Sequence, residues 1–271
     1  MTPRTTRVGI LSIGNEILDG LVLDTNSNWI QRRLASIGAR VDRLVSVRDD
    51  LDEIGIGLSF VRQTCDVIVT SGGLGPTHDD MTLAAIARAL HRKLVEDSQA
   101  EMIVRRQYKM LHDRNIVDSP AYTPSRRKMA RIPEGGLALN NTVGGAPGVK
   151  LEDNGTTIFC LPGVPSELKF IFDDSVVPWL TTRLGASKYA ETVVEFHIGD
   201  ESVFAPLIES AMTKVKGAYI KSMPKTYGTS DSLQVWVSAH GKNKKDADTL
   251  VSRAVKQLET DSGLSAKVSE H

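Results

Sequence analysis

The chain has 271 residues, of which 33 are Lys or Arg and 33 are Asp or Glu, with 41% hydrophobic and 24% charged. This is the composition of an ordinary globular protein long enough for one large domain and a smaller one. Balanced charge leaves no global positive field to recruit nucleic acid or an anionic membrane, so neither is expected as a partner. Cys65 and Cys160 each stand in or beside an apolar run. That favours buried, reduced thiols over a disulfide or zinc site, and the start of the chain has no apolar stretch of signal or membrane-spanning length; a cytoplasmic location is expected.

Residues 8–13 form a continuous apolar run ending at Gly14, as in a strand buried on both faces of a parallel sheet. Residues 26–37 carry Trp29, Ile30, Leu34 and Ile37 at helical spacing and stop at Gly38. Residues 41–47 read as a strand, and Asp50 with Glu53 three places on opens a helix to about Gln63. A strand over 67–70, a glycine loop and a helix over 80–90 follow, then a helix over 97–114. A basic run, Ser125-Arg126-Arg127-Lys128, suits either a solvated face or a ligand contact. After a second glycine-rich loop over 141–148 come a buried strand over 157–161 and a helix from about Ser166, whose positive end can face an anion.

The β-α-β-α-β-α alternation predicts an α/β fold: a mostly parallel sheet with helices on both faces over residues 1–185. A boundary is expected near Gly185-Ala186-Ser187. Residues 186–271 then read as β-α-β-β-α-β, a small α+β domain of ferredoxin-like type.

The chemistry concentrates at Ser71-Gly72-Gly73-Leu74-Gly75-Pro76-Thr77, between a strand and the pair Asp79-Asp80. Three glycines in four residues allow backbone N–H groups to approach an anion closely. The loop lacks the Gly-Lys-Ser/Thr of a P-loop and the third glycine of a dinucleotide fingerprint. A phosphorylated ligand is expected, bound where the ends of parallel strands bring this loop and Gly14-Asn15-Glu16 together. The six histidines show no paired spacing, which argues against zinc chemistry.

Five further stretches accompany that loop: Gly14-Asn15-Glu16-Ile17-Leu18 with Gly20; Asp24-Thr25-Asn26; Arg127-Lys128 before Ile132-Pro133-Glu134-Gly135; Asn141 with Gly144, Ala146, Pro147 and Gly148; and Leu161-Pro162-Gly163-Val164-Pro165 with Glu167. Together they resemble the N-terminal region of the CinA (competence/damage-inducible protein A) family, within the molybdopterin-binding (MoaB/Mog-like) superfamily. Two departures stand out. Gly145 occupies a place where family members usually carry Thr, and the Ser-Cys-Thr-Gly-Gly mark of the nicotinamide mononucleotide deamidase domain of longer members is missing from these 271 residues, so deamidase activity is not carried over.

The resemblance implies hydrolysis of a dinucleotide pyrophosphate, ADP-ribose or FAD, with Mg²⁺, Mn²⁺ or Co²⁺. Its alternatives are pterin binding in molybdenum cofactor biosynthesis and a non-catalytic nucleotide-binding module. A homo-oligomer is expected by analogy with the superfamily. Phosphoanhydride hydrolysis needs a carboxylate-held cation and an oriented water. Asp80 and Asp24 are the expected metal ligands, and Glu16 and Asp79 the groups that orient water or hold ribose. Asp24 and Asp80 also suit helix N-caps. The amides of Gly72 to Gly75 with Ser71, Leu74, Pro76 and Thr77 are the expected phosphate cradle. Gly14, Asn15, Asn26, Lys128, Asn141, Gly144, Ala146, Pro147, Gly148, Pro162, Gly163 and Glu167 are the remaining expected ligand contacts.

Overall fold

An apolar run without alternation needs cover on both faces, and β1 (Arg7–Ile13) and β3 (Val67–Ser71) receive it at the centre of a six-stranded sheet. The computed structural model describes residues 6–184, 188–198, 200–223 and 232–269. These fall into two units, the second made up of Ser36–Gly38 and the residues beyond Leu184. The boundary expected at 185–187 lies outside the described residues.

After β1 the first unit continues with the single-turn α1 (Asn15–Leu18), α2 (Thr25–Ser36), β2 (Arg40–Val47), α3 (Leu51–Arg62), β3 and α4 (Thr82–Ala89). There follow β4 (Leu94–Glu96), α5 (Ser98–Asp113), α6 (Pro124–Lys128), β5 (Arg131–Pro133), β6 (Leu137–Leu139), β7 (Gly148–Asp153) and β8 (Thr156–Leu161). Helix α7 (Pro165–Ile171) passes through a π-helical turn, Phe172–Val176, into α8 (Val177–Leu184). The sheet order is β2-β1-β3-β8-β7-β6, with β2, β1, β3 and β8 parallel and β7 and β6 antiparallel.

Alternating side chains of these strands feed two cores. Leu11, Ile13, Ile68, Ile158 and Cys160 pack with Ile54 and Leu58 of α3, Leu83 and Ile86 of α4, and Val104 of α5. On the other face Phe159 meets Trp179 of α8, with ring centroids 5.2 Å apart, and Trp29 of α2 meets Phe172 at 5.5 Å. The mostly parallel α/β reading therefore holds, and helix α3 starts where its capping pattern says: Asp50 accepts from the N–H groups of Asp52 and Glu53.

The antiparallel side is where the sequence reading fell short. It ran the second glycine loop to Gly148 and had no strand after it, whereas Gly148 opens β7. Val149 and Leu151 point inward and Lys150 and Glu152 outward, and Asn154-Gly155, both at positive φ, turn β7 tightly into β8. At this turn Asp153 pairs with Arg62 of α3 and, at 3.2 Å, with Arg92. All three side chains are largely shielded, so removing the shared carboxylate strands two cations. Asp153→Ala is expected to lower unfolding free energy by about 2 kcal/mol in urea titration, less than a fully buried pair would lose. An unchanged midpoint would show the triad to be ornamental.

In the second unit, β9 (Lys188–Phe196), α9 (Glu201–Lys214), β10 (Ala218–Met223), β11 (Leu233–Gly241), α10 (Lys244–Ser262) and β12 (Lys267–Val268) form an antiparallel sheet of order β10-β11-β9-β12. That order is the split βαβ arrangement. Its core joins Phe196, Phe204, Val235, Val237 and Leu258. Among the described residues no helix is long and apolar enough to cross a membrane.

Candidate functional site

Parallel pairing sets the ends of β1, β3 and β8 side by side: Ser12 is in register with Ser71, and Ser71 with Leu161. The loops that follow them border a cleft of about 420 Å³, within the range of small-ligand sites. Gly14 and Glu16 come from the first loop, Gly72, Gly73, Gly75, Pro76, Asp79 and Asp80 from the second, and Pro162, Gly163 and Glu167 from the third.

The glycine loop is shaped by its neighbours. Gly72 has φ 108°, and a Cβ there would lie 2.2 Å from the carbonyl oxygen of Ile13. Gly73 has φ 69°, and its Cβ would fall 2.2 Å from Thr82 Oγ1, which donates to the Gly72 carbonyl at 2.8 Å. No other residue type fits this turn. The loop is closed by Asp80, whose Oδ2 accepts from the Thr77 N–H at 2.9 Å and its hydroxyl at 2.5 Å. Lys128 donates to the Thr77 carbonyl. Among the described residues, no protein group accepts from the N–H groups of Gly73, Leu74 and Gly75.

The acidic lining goes beyond the pair seen in the sequence. Asp49 follows β2, accepts from the Asn15 N–H at 2.8 Å and lines the cleft beside Glu16, Asp79 and Asp80. Burial pushes its carboxyl above the ordinary range; the Asn15 hydrogen bond opposes this and the charges of Glu16, Asp79 and Asp80 add to it. Glu167 is likewise raised by burial, against hydrogen bonds from Asn141 Nδ2 at 2.6 Å and the Ala146 N–H at 3.4 Å.

Several residues expected at the ligand have partners within the protein. Asp24 caps α2, accepting from the Ser27 N–H at 2.9 Å and its hydroxyl at 2.5 Å, and it is not among the residues that line the cleft with Asp80. Asp80 is no cap, since α4 starts at Thr82 without a side-chain cap. Asn26 ties two loops together, donating to Ser71 Oγ and to the Gly163 carbonyl at 2.7 Å. Asn141 is fully buried: its Oδ1 accepts from Val143 and Gly144 N–H, and its Nδ2 donates to the Ala146 carbonyl and Glu167. Gly144 lets Glu167 approach, because a Cβ there would overlap its carboxyl. Leu74 is core, Ser71 is a buried strand end, Pro147 is buried and Gly148 belongs to β7. Asn15, Thr77 and Lys128 hold neighbours and are not part of the lining.

Besides Asp49, the sequence reading missed Ile13, Tyr108, Met129 and Val164 as lining, and it treated Gly145 only as a departure from the family. Asp49 had a legible cue in its place directly after a strand. Tyr108 had none, because it sits mid-helix in α5. Among the described residues no three His, Cys, Asp or Glu side chains converge to hold a metal ion by themselves.

The chain matches the family described as probable molybdopterin binding domain over residues 9–182. Protein TK1472 of Thermococcus kodakarensis is 38% identical over 91% of this chain and 97% of its own length. Protein PH0439 of Pyrococcus horikoshii is 39% identical over 81% and 84%. The crystal structure of the protein CinA, of unknown function, from Thermoplasma acidophilum is 35% identical, covers 63% of this chain and 95% of that one, and superposes with a TM-score of 0.57. The chain is a CinA-like member of the probable molybdopterin binding domain family.

Proposed function

We propose that the cleft binds a phosphorylated pterin of molybdopterin type, its phosphate on the amides of the Gly72–Gly75 turn and its charge neutralised by a divalent cation. The observation that carries this reading is the turn itself: left-handed glycines packed on Ile13 and Thr82 beside N–H groups that have no protein acceptor among the described residues. Family membership supports the pterin.

The carboxylates around the turn fit a hard cation. Glu16, Asp49, Asp79 and Asp80 would repel a bare phosphate, and oxygen ligands suit Mg²⁺. Since no three acidic side chains converge alone, Asp79 and Asp80 would hold the ion together with phosphate oxygens and water. Bound there, the ion supplies charge neutralisation of the phosphate. The protein's own part is to fix the carboxylates through Thr77 and Asn15.

Molybdopterin with Mg²⁺ is expected to raise the melting temperature in proportion to the logarithm of ligand concentration, and either component alone to do far less. Asp80→Asn should remove most of that shift. A melting temperature indifferent to the pair, or an equal shift in the variant, would refute the reading.

A second reading, hydrolysis of the pyrophosphate of ADP-ribose or FAD, draws on one feature: Asp49 lines the cleft with its carboxyl raised by burial and by the charges of Glu16, Asp79 and Asp80, and on this reading it would accept a proton from an attacking water. Release of AMP with Mg²⁺, Mn²⁺ or Co²⁺ that disappears in Asp49→Asn would favour it.

A further inference from the structure

The cleft has two kinds of lining. The glycine turn with Glu16, Asp49, Asp79 and Asp80 suits a phosphate with its cation, while Tyr108, Met129, Gly145 and Ala146 are uncharged and stand beside Glu167, the fifth carboxylate of the lining. A ligand that is only phosphate would leave this second lining unused. Tyr108 is the one aromatic side chain in it.

Tyr108 is held from outside. The Arg126 guanidinium lies 3.8 Å from its ring centroid, and Arg126 is itself pinned by donating to the carbonyls of Ser119 at 2.7 Å and Ala121 at 2.6 Å. Tyr108 packs partly against the core and lines the cleft, whereas Arg126 does not line it. Gly145 stands beside the ring: a Cβ there would lie 3.3 Å from Tyr108 Cε2, a tight contact, and 3.5 Å from its hydroxyl, an ordinary one, so a branched side chain at 145 would lie against the tyrosine.

Resting on the phosphate-ligand reading above, we propose that Tyr108 is the stacking wall for a planar nitrogen heterocycle, oriented by Arg126 and left open by Gly145. It makes the cleft select a ring-bearing phosphate over a ring-less one. A flat ring on a tyrosine gains dispersion and offset stacking, on a scale of tenfold or more in affinity.

Calorimetry in Mg²⁺ with ADP, molybdopterin and inorganic pyrophosphate tests this. Tyr108→Leu is expected to weaken the tighter ring probe by about tenfold or more and to leave pyrophosphate within about twofold. Tyr108→Phe should keep ring affinity. Gly145→Val, at a half-buried loop position, should reproduce the loss while keeping the Tyr108 side chain, which covers the case in which Tyr108→Leu folds poorly. Equal losses for all probes would make Tyr108 a support of the loop, and unchanged ring affinity in Tyr108→Leu and Gly145→Val would leave it without a ligand role; either result overturns the proposal. Both of those leave pyrophosphate binding by the wild type standing, and with it the phosphate reading. Wild-type protein that binds none of the three probes overturns the stacking wall and the phosphate reading together.

Discussion

Gly72→Ala is expected to cost about 3 kcal/mol or more of folding stability and to abolish Mg²⁺-dependent ligand binding. The left-handed backbone alone accounts for about 1–2 kcal/mol of that. The remainder comes from the new methyl, which would sit 2.2 Å from the Ile13 carbonyl oxygen. Neither partner can yield. Ile13 ends a central strand paired on both sides, and Gly72 N–H is committed to the Leu161 carbonyl at 3.0 Å. Relief therefore means moving the turn and its free amides. Gly20→Ala is the matched control: φ is 72° there, but nothing lies within 4 Å of an added Cβ. It should lose about 1 kcal/mol and bind normally. Urea midpoints and calorimetric affinities for both variants decide the matter, and a Gly72→Ala protein equal to Gly20→Ala would show that the close approach to Ile13 is immaterial.

Glu167→Ala is expected to remove about 2 kcal/mol and to weaken ligand binding through the loop that lines the cleft. Its carboxylate accepts from Asn141 Nδ2 and the Ala146 N–H, and the fully buried Asn141 in turn anchors Val143, Gly144 and Ala146. Without the acceptor, buried donors are left unmade and Gly145-Ala146 lose their seat. Glu167→Gln separates charge from shape. Burial raises the native carboxyl above its unfolded value, so the stabilising contribution is complete below the unfolded pKa and is lost as pH rises through the folded one. The glutamine variant has no such loss. Its stability relative to wild type should therefore climb as pH rises out of the ordinary glutamate range, as followed by unfolding at a series of pH values. Parallel profiles would mean that Glu167 titrates alike in the folded and unfolded chains.

What could be read along the chain was whatever a few neighbouring residues decide. The apolar runs of β1, β3 and β8, the cap at Asp50 and the glycine turn after β3 each depend on contacts within a turn or on a strand's own hydrophobicity. The β7–β8 hairpin was equally local, in the alternation of 149–152 and the Asn154-Gly155 turn, but the charged residues on its outer face made it look like loop. The carboxylate roles were less accessible. Asp24 and Asp80 look alike on paper, each an acidic residue just ahead of a helix; one is spent on Ser27 and the other closes the loop on Thr77.

The central apolar strands and the glycine turn were thus carried by the amino-acid order, since short-range sterics and periodicity suffice for them, and the family resemblance was carried by its motifs. Which side chains share the cleft was settled by packing. Asp49 and Tyr108 reach it from the loop after β2 and from α5, elements brought together only when parallel pairing aligns the strands and the core closes. Burial in the folded chain, with the charges of Glu16, Asp79 and Asp80 added, then gives Asp49 its raised proton affinity, a property of the assembled site that none of the contributing segments has alone.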